Sequence, residues 1–163
     1  MRRRVLTLLA TSAAMLGLSL FVASPAHAAT FLTHAQATSQ LRAASITWSS
    51  SGNCSDRNNA SCTSFSQVRQ STINGIKTLK SASGCAVHIT AGTETGHASG
   101  TYSHWNGYKL DIRHYACVDN YIKTRFTYVG YISGWGYQWR AASGNLYTDE
   151  GNHWDILYYT CGC

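Results

Sequence analysis

Two short stretches carry side chains at spacings that could do chemistry. The first is Ser103-His104-Trp105-Asn106-Gly107-Tyr108-Lys109-Leu110-Asp111-Ile112, in which an imidazole precedes a carboxylate by seven positions. The second is Glu150-Gly151-Asn152-His153-Trp154-Asp155, in which an imidazole follows a carboxylate by three. His104, Asp111 and His153 together offer two imidazole nitrogens and one carboxylate oxygen, and Glu150 is left over. Three protein ligands with a fourth position kept for water is the ligand count of a catalytic zinc site. Two neutral histidines and one aspartate leave such a site with a net positive charge, which lowers the pKa of a bound water to about 7. The spare carboxylate then has a proton to accept. A lone histidine in either stretch would be read as an ordinary surface or core residue; it is the set of four positions, in order, that carries weight.

At those four positions the chain resembles a family. His-x-x-Gly-x-x-x-Asp followed by Glu-x-x-His-Trp is similar to the zinc D-Ala-D-Ala peptidases. That superfamily holds D,D-carboxypeptidases, dipeptidases and cell-wall endopeptidases, and is related to the Hedgehog-type zinc fold. The resemblance spans roughly residues 85–160, with fixed motif positions and loose sequence between them. It implies that His104, Asp111 and His153 bind Zn2+. It also implies that Glu150 is the general base that takes the water's proton and passes it to the leaving amine. The implied substrate is a peptide bond of peptidoglycan, in a stem peptide or cross-bridge. The family commonly carries an arginine in the segment before the first ligand. Here Thr90-Ala91-Gly92-Thr93-Glu94-Thr95-Gly96-His97 has none, and His97 is assigned its catalytic place as the cationic or donor group. The missing arginine favours an endopeptidase or a divergent specificity over trimming of a free carboxyl terminus. The alternative is a non-catalytic secreted domain, cell-wall-binding or inhibitory, on the same scaffold. Glu94 is either an outer partner that fixes an imidazole tautomer or a loop charge, and Asp155 orients a ligand. His88 and His114 are structural, and His34 lies on a helix surface.

The elements that must position these residues follow from periodicity. From Gly107 on, Tyr108, Leu110 and Ile112 fall on one face of a strand, and Lys109, Asp111 and Arg113 on the other. Gly107 permits the sharp turn that brings His104 back over Asp111. Thr33-His34-Ala35-Gln36 is a capping box opening a helix at about 33–45, and Ser64-Phe65-Ser66-Gln67 a second one opening a helix at about 65–81 that stops at Gly84. Residues 85–91 read as a strand, 92–100 as a glycine-rich loop, 117–124 as a short helix and 150–159 as a strand. Between Phe126 and Trp139 an aromatic run broken by glycines reads as a hairpin, with Trp135, Tyr137 and Trp139, like Trp105, assigned to the core in preference to a groove. Helices first and strands later give an α+β fold: an antiparallel sheet with N-terminal helices packed on it, a zinc site at the sheet face, and disulfide staples.

The remaining composition bounds the setting. Arg2 to Arg4, the apolar run Leu6 to Val22 and Ala26-His27-Ala28 read as a secretory signal peptide over 1–28, leaving 29–163 as a single domain, secreted and expected to act as a monomer. Without those three arginines, ten basic residues face seven acidic ones. This mild, scattered excess suits an anionic cell wall and argues against nucleic acid. No other run is long and apolar enough for a membrane anchor. Six cysteines in a secreted chain read as disulfides. Cys54 is expected to pair with Cys62, and Cys161 and Cys163 with Cys85 and Cys117 in either order.

Overall fold

The computed structural model describes residues 30–159; the expected signal peptide at 1–28 and the cysteines at 161 and 163 lie outside them. The element order is β1 (Phe31–Leu32), α1 (His34–Ala43), β2 (Thr47–Trp48), β3 (Val68–Arg69), α2 (Gln70–Ser83), β4 (His88–Ala91), β5 (Lys109–Arg113), α3 (Ala116–Arg125), β6 (Thr127–Ile132), β7 (Gly136–Arg140), β8 (Leu146–Asp149) and β9 (His153–Leu157). The class is α+β.

Helix α1 starts where its capping box places it. The Thr33 hydroxyl accepts from the Gln36 amide, and the Gln36 side chain accepts from the Thr33 amide. His34 departs from its expected surface role: its ring stacks on Phe65 with centroids 5.4 Å apart, and its Nδ1 accepts from the Phe65 N–H.

Helix α2 begins at Gln70 rather than near 65. The Ser64 box goes unused because Ser64 is committed elsewhere: its N–H donates to the Glu94 carboxylate at 2.7 Å and its carbonyl accepts from Thr93. Gln67 then turns left-handed (φ +65°), and Val68–Arg69 pairs antiparallel with β1 before the helix starts. The stop at Gly84, in the αL region, is the one the sequence predicts.

Among the described residues the main sheet has seven strands, in the order β2-β4-β5-β9-β8-β7-β6. It is mixed, not antiparallel as expected: β2 runs parallel to β4. A parallel neighbour needs a crossover, and residues 49–87, which include α2, supply it. One buried cluster draws on Leu41 of α1, Ile73 and Ile76 of α2, Val118 and Ile122 of α3, and Ile89, Leu110, Ile112 and Ile156 of the central strands.

Among the described residues, two disulfides staple this arrangement. Cys54–Cys62 closes the polar loop between β2 and β3, as expected. Cys85 pairs with Cys117, correcting the expectation that each reaches for the C-terminal cysteines. The first turn of α3 lies beside the segment leading into β4, and the two Cα atoms stand 5.7 Å apart.

The hairpin aromatics also depart from expectation. Tyr128, Tyr131, Trp135 and Tyr137 are 42–60% exposed, as is Trp105 at 44%; Phe126 and Trp139, at the two ends of the run, pack against the core. Strand β6 is one edge of the sheet, and among the described residues no further strand covers its outer side.

Candidate metal centre

Strands β5 and β9 pair antiparallel with Asp111 opposite Asp155, Arg113 opposite His153 and Lys109 opposite Leu157. Like charges directly opposite each other are destabilising, so this pair needs cations nearby. Two groups meet the need. Lys109 Nζ lies 2.7 Å from Asp155 Oδ2. His104 Nε2 lies 3.2 Å from Asp111 Oδ1 and 3.6 Å from Asp155 Oδ2.

His104 reaches that point through the turn before β5. The Gly107 N–H donates to the His104 carbonyl, and Gly107 sits at φ +75°. A Cβ at 107 would lie 2.9 Å from Arg69 N and overlap the Gln67 carbonyl, so only glycine lets this turn pack against β3. The His104 ring is buried, and its Nδ1–H donates to the Gly92 carbonyl at 2.6 Å. That fixes the ring orientation and aims Nε2 at the carboxylates.

His153 is set up in the same way. The β8–β9 turn is tied by Glu150 N–H to His153 O and by Gly151 N–H to Asp149 Oδ1. The His153 Nδ1–H donates to Asn152 Oδ1 at 2.5 Å. Its Nε2 faces Asp111 Oδ2 at 3.6 Å and Glu150 Oε2 at 3.5 Å. Each oxygen of Asp111 thus has an imidazole nitrogen before it.

His97 arrives from the glycine-rich loop and stacks on His104, centroids 3.9 Å apart and planes at 19°. Its Nε2 lies 3.5 Å from Glu94 Oε1. Glu94 is no loop surface charge: it is 2% exposed and accepts from the amides of Ser64 and Gly92. Burial alone would raise its pKa; His97 and those amides outweigh burial and hold it low. Arg57, presented by the disulfide loop, clamps the same loop system from outside. It donates to the carbonyls of Thr93 and Trp105, with its guanidinium 3.7 Å over the Trp105 ring.

The structure therefore brings His97, His104, Asp111, Glu150 and His153 to the wall of one cavity of about 270 Å³. Lys109 and Trp135 line the same wall, the ammonium lying 4.6 Å from the indole centroid. Alternation places Lys109 on the face of Asp111 without giving it a role at the site; Trp135, expected in the core in preference to a groove, borders the cavity instead.

Three carboxylates, Asp111, Glu150 and Asp155, face one ammonium here, an imbalance that a divalent cation would neutralise. Burial, reinforced by Asp155 and Asp111, raises the pKa of Glu150. The residues fit a metal on a second count. The short His104–Asp111 approach does not have hydrogen-bond geometry, and both His104 Nε2 and Asp111 Oδ1 are buried without a hydrogen-bond partner. Such partnerless, convergent polar atoms are costly unless a proton or a metal ion lies between them. His97, His104 and Asp111 form a group whose ligand atoms lie within 4.8 Å of one another and could hold a metal ion. Imidazole lone pairs lie in the ring planes, however, and nearly parallel planes do not meet at one ion; His97 can join only by turning out of its stack.

The metal-free site has a pH signature. Burial opposes charge on His104, but Asp111 and Asp155 outweigh it and push its pKa up to about 10. The unfolded value is about 6.5. The charged ring therefore contributes stability in full below about pH 6.5 and loses it as pH rises through about 10. Metal-free protein is expected to fall in Tm across that window, and protein with added zinc to resist the fall, because a metal displaces the proton. Thermal unfolding over this pH range with and without zinc checks it; a flat metal-free profile would remove the charged imidazole from the account.

Compared with protein-family models, with curated proteins and with solved structures, the chain has no match.

Proposed function

We propose that the chain is a secreted zinc metallopeptidase that hydrolyses peptide bonds in peptidoglycan, with His104, Asp111 and His153 holding the metal. The observation that supports this best is the symmetry about Asp111. Two imidazoles, each with Nδ1 tied to an oxygen, aim Nε2 at its two carboxylate oxygens. Hard oxygen and borderline nitrogen donors in this ratio suit zinc. When bound, zinc would supply a Lewis acid that polarises the scissile carbonyl and acidifies a water.

The chain's own residues would do the rest. Glu150, beside His153 and with a raised pKa, accepts the proton of the attacking water. The C–N bond breaks as Glu150 returns that proton to the amine nitrogen, giving one carboxylate and one amine. His104 and Lys109 outweigh burial and keep Asp155 ionised, a negative charge beside the His104 ring. His97, backed by Glu94 and lining the cavity, is the donor that steadies the substrate carbonyl.

The test is digestion of purified peptidoglycan by the mature protein, read by mass spectrometry. New peptide ends are expected, lost with chelator and restored by zinc. Cleavage that ignores chelator, or folded protein that takes up no metal, would overturn the reading. The rival, a wall-binding domain without turnover, is favoured by the exposed rings of Tyr128, Tyr131 and Tyr137; sedimentation with wall fragments and no new ends would establish it instead.

A further inference from the structure

A second cavity, also about 270 Å³, adjoins the reactive one and shares Lys109, Trp135 and Asp155 with it. It occupies the same sheet face, carried sideways by register. Asp155 pairs with Thr148, Thr148 with Gln138, and Leu157 with both Lys109 and Leu146. Its walls beyond the shared residues are chiefly apolar: Tyr102, Ile132, Leu146 and Leu157. Its polar members are spoken for. Lys109 and Asp155 neutralise each other at 2.7 Å, and the Gln138 amide donates to the Thr148 hydroxyl at 3.0 Å.

From this continuity we infer that the cavity is a specificity subsite for an uncharged apolar side chain next to the scissile bond, with room for more than a methyl group. The inference rests on the peptidase reading. A charged side chain entering here would be desolvated beside an ion pair that has no charge to spare, which is unfavourable. An aliphatic or aromatic one would cover Ile132 and Trp135, which stand 47% and 42% exposed at the rim. Tyr102 makes a firm wall, since its ring meets Tyr108 and Tyr159 edge-on at 5.0 Å each. The side chain that fits this cavity thus brings its own amide to the cavity that Glu150 lines.

Two readouts test the inference on the mature chain. In the first, zinc-loaded protein is given capped pentapeptides varied on either side of the cleaved bond. On one of the two sides, leucine or phenylalanine is expected to exceed glutamate by about tenfold or more in kcat/KM. Ile132→Lys should erase that preference by about tenfold while cleaving the glycine peptide as before. In the second, methyl resonances of Ile132, Leu146 and Leu157 are followed as N-acetyl-leucinamide or N-acetyl-glutamate amide is added to metal-free protein. Shifts are expected with the first ligand only, and Ile132→Lys should abolish them. Equal rates for leucine and glutamate, or methyl shifts indifferent to the ligand's charge, would overturn the subsite. Selective methyl shifts without cleavage of any peptide would instead overturn the peptidase reading and leave the cavity as an apolar binding site.

Discussion

Glutamine in place of Glu150 is expected to lower the hydrolysis rate by about 10²–10⁴-fold, the usual contribution of a positioned acid–base group, while zinc content stays unchanged. The two halves of this result belong together. Glu150 lies 3.5 Å from His153 Nε2 and about a quarter of its side chain is exposed, so it borders the site without closing it. Glutamine keeps the shape and the turn, whose bonds do not involve the Glu150 side chain, and removes only the basic oxygen. Burial and the neighbouring Asp155 and Asp111 already raise this carboxyl's pKa, bringing it nearer to the range in which a base both takes and returns a proton at neutral pH. Single-turnover rates and metal analysis on the same preparation measure the effect. Undiminished turnover would remove Glu150 from the chemistry; lost zinc would make it a ligand.

The second large effect separates His153 from His97. His153→Ala is expected to weaken zinc binding by more than 100-fold, beyond the 10–100-fold typical of an outer partner. His97→Ala should stay within that outer-partner range and act mainly on turnover. The distinction rests on ring orientation. His97 lies 19° from parallel to His104 with its Nε2 toward Glu94, whereas His153 has its Nδ1 occupied and its Nε2 facing Asp111. Chelator competition on both variants reads the two affinities. The opposite ranking would place the ion in the His97–His104–Asp111 group and leave His153 to orient Glu150.

Residues in short-range patterns were legible before any coordinates. The capping box at Thr33, the stop at Gly84, the turn at Gly107 and the alternation through β5 each depend on a few neighbouring residues, and each stands as read. What escaped depends on distant partners. Nothing near Ser64 says that its amide belongs to Glu94, thirty residues on, so the start of α2 was misplaced. The parallel entry of β2 and the Cys85–Cys117 bond are decided by how the crossover packs. The aromatic hairpin has the composition of a core strand, and only its place at the sheet edge leaves those rings in water. At the site, the motif spacing supplied candidates, and Glu94 was one of two readings as an outer partner; the contacts that orient the rings, Gly92 O and Asn152 Oδ1, depend on backbone placement and on a motif position that any residue could fill.

The Arg57 clamp has a consequence under reduction. Arg57 grips both approaches to His104, through Thr93 and Trp105, and it is delivered there by a loop whose ends are cross-linked sulfurs. While Cys54 and Cys62 remain thiols, that grip lacks its anchor. Reduction of this one bond is therefore expected to loosen both approaches to His104 together.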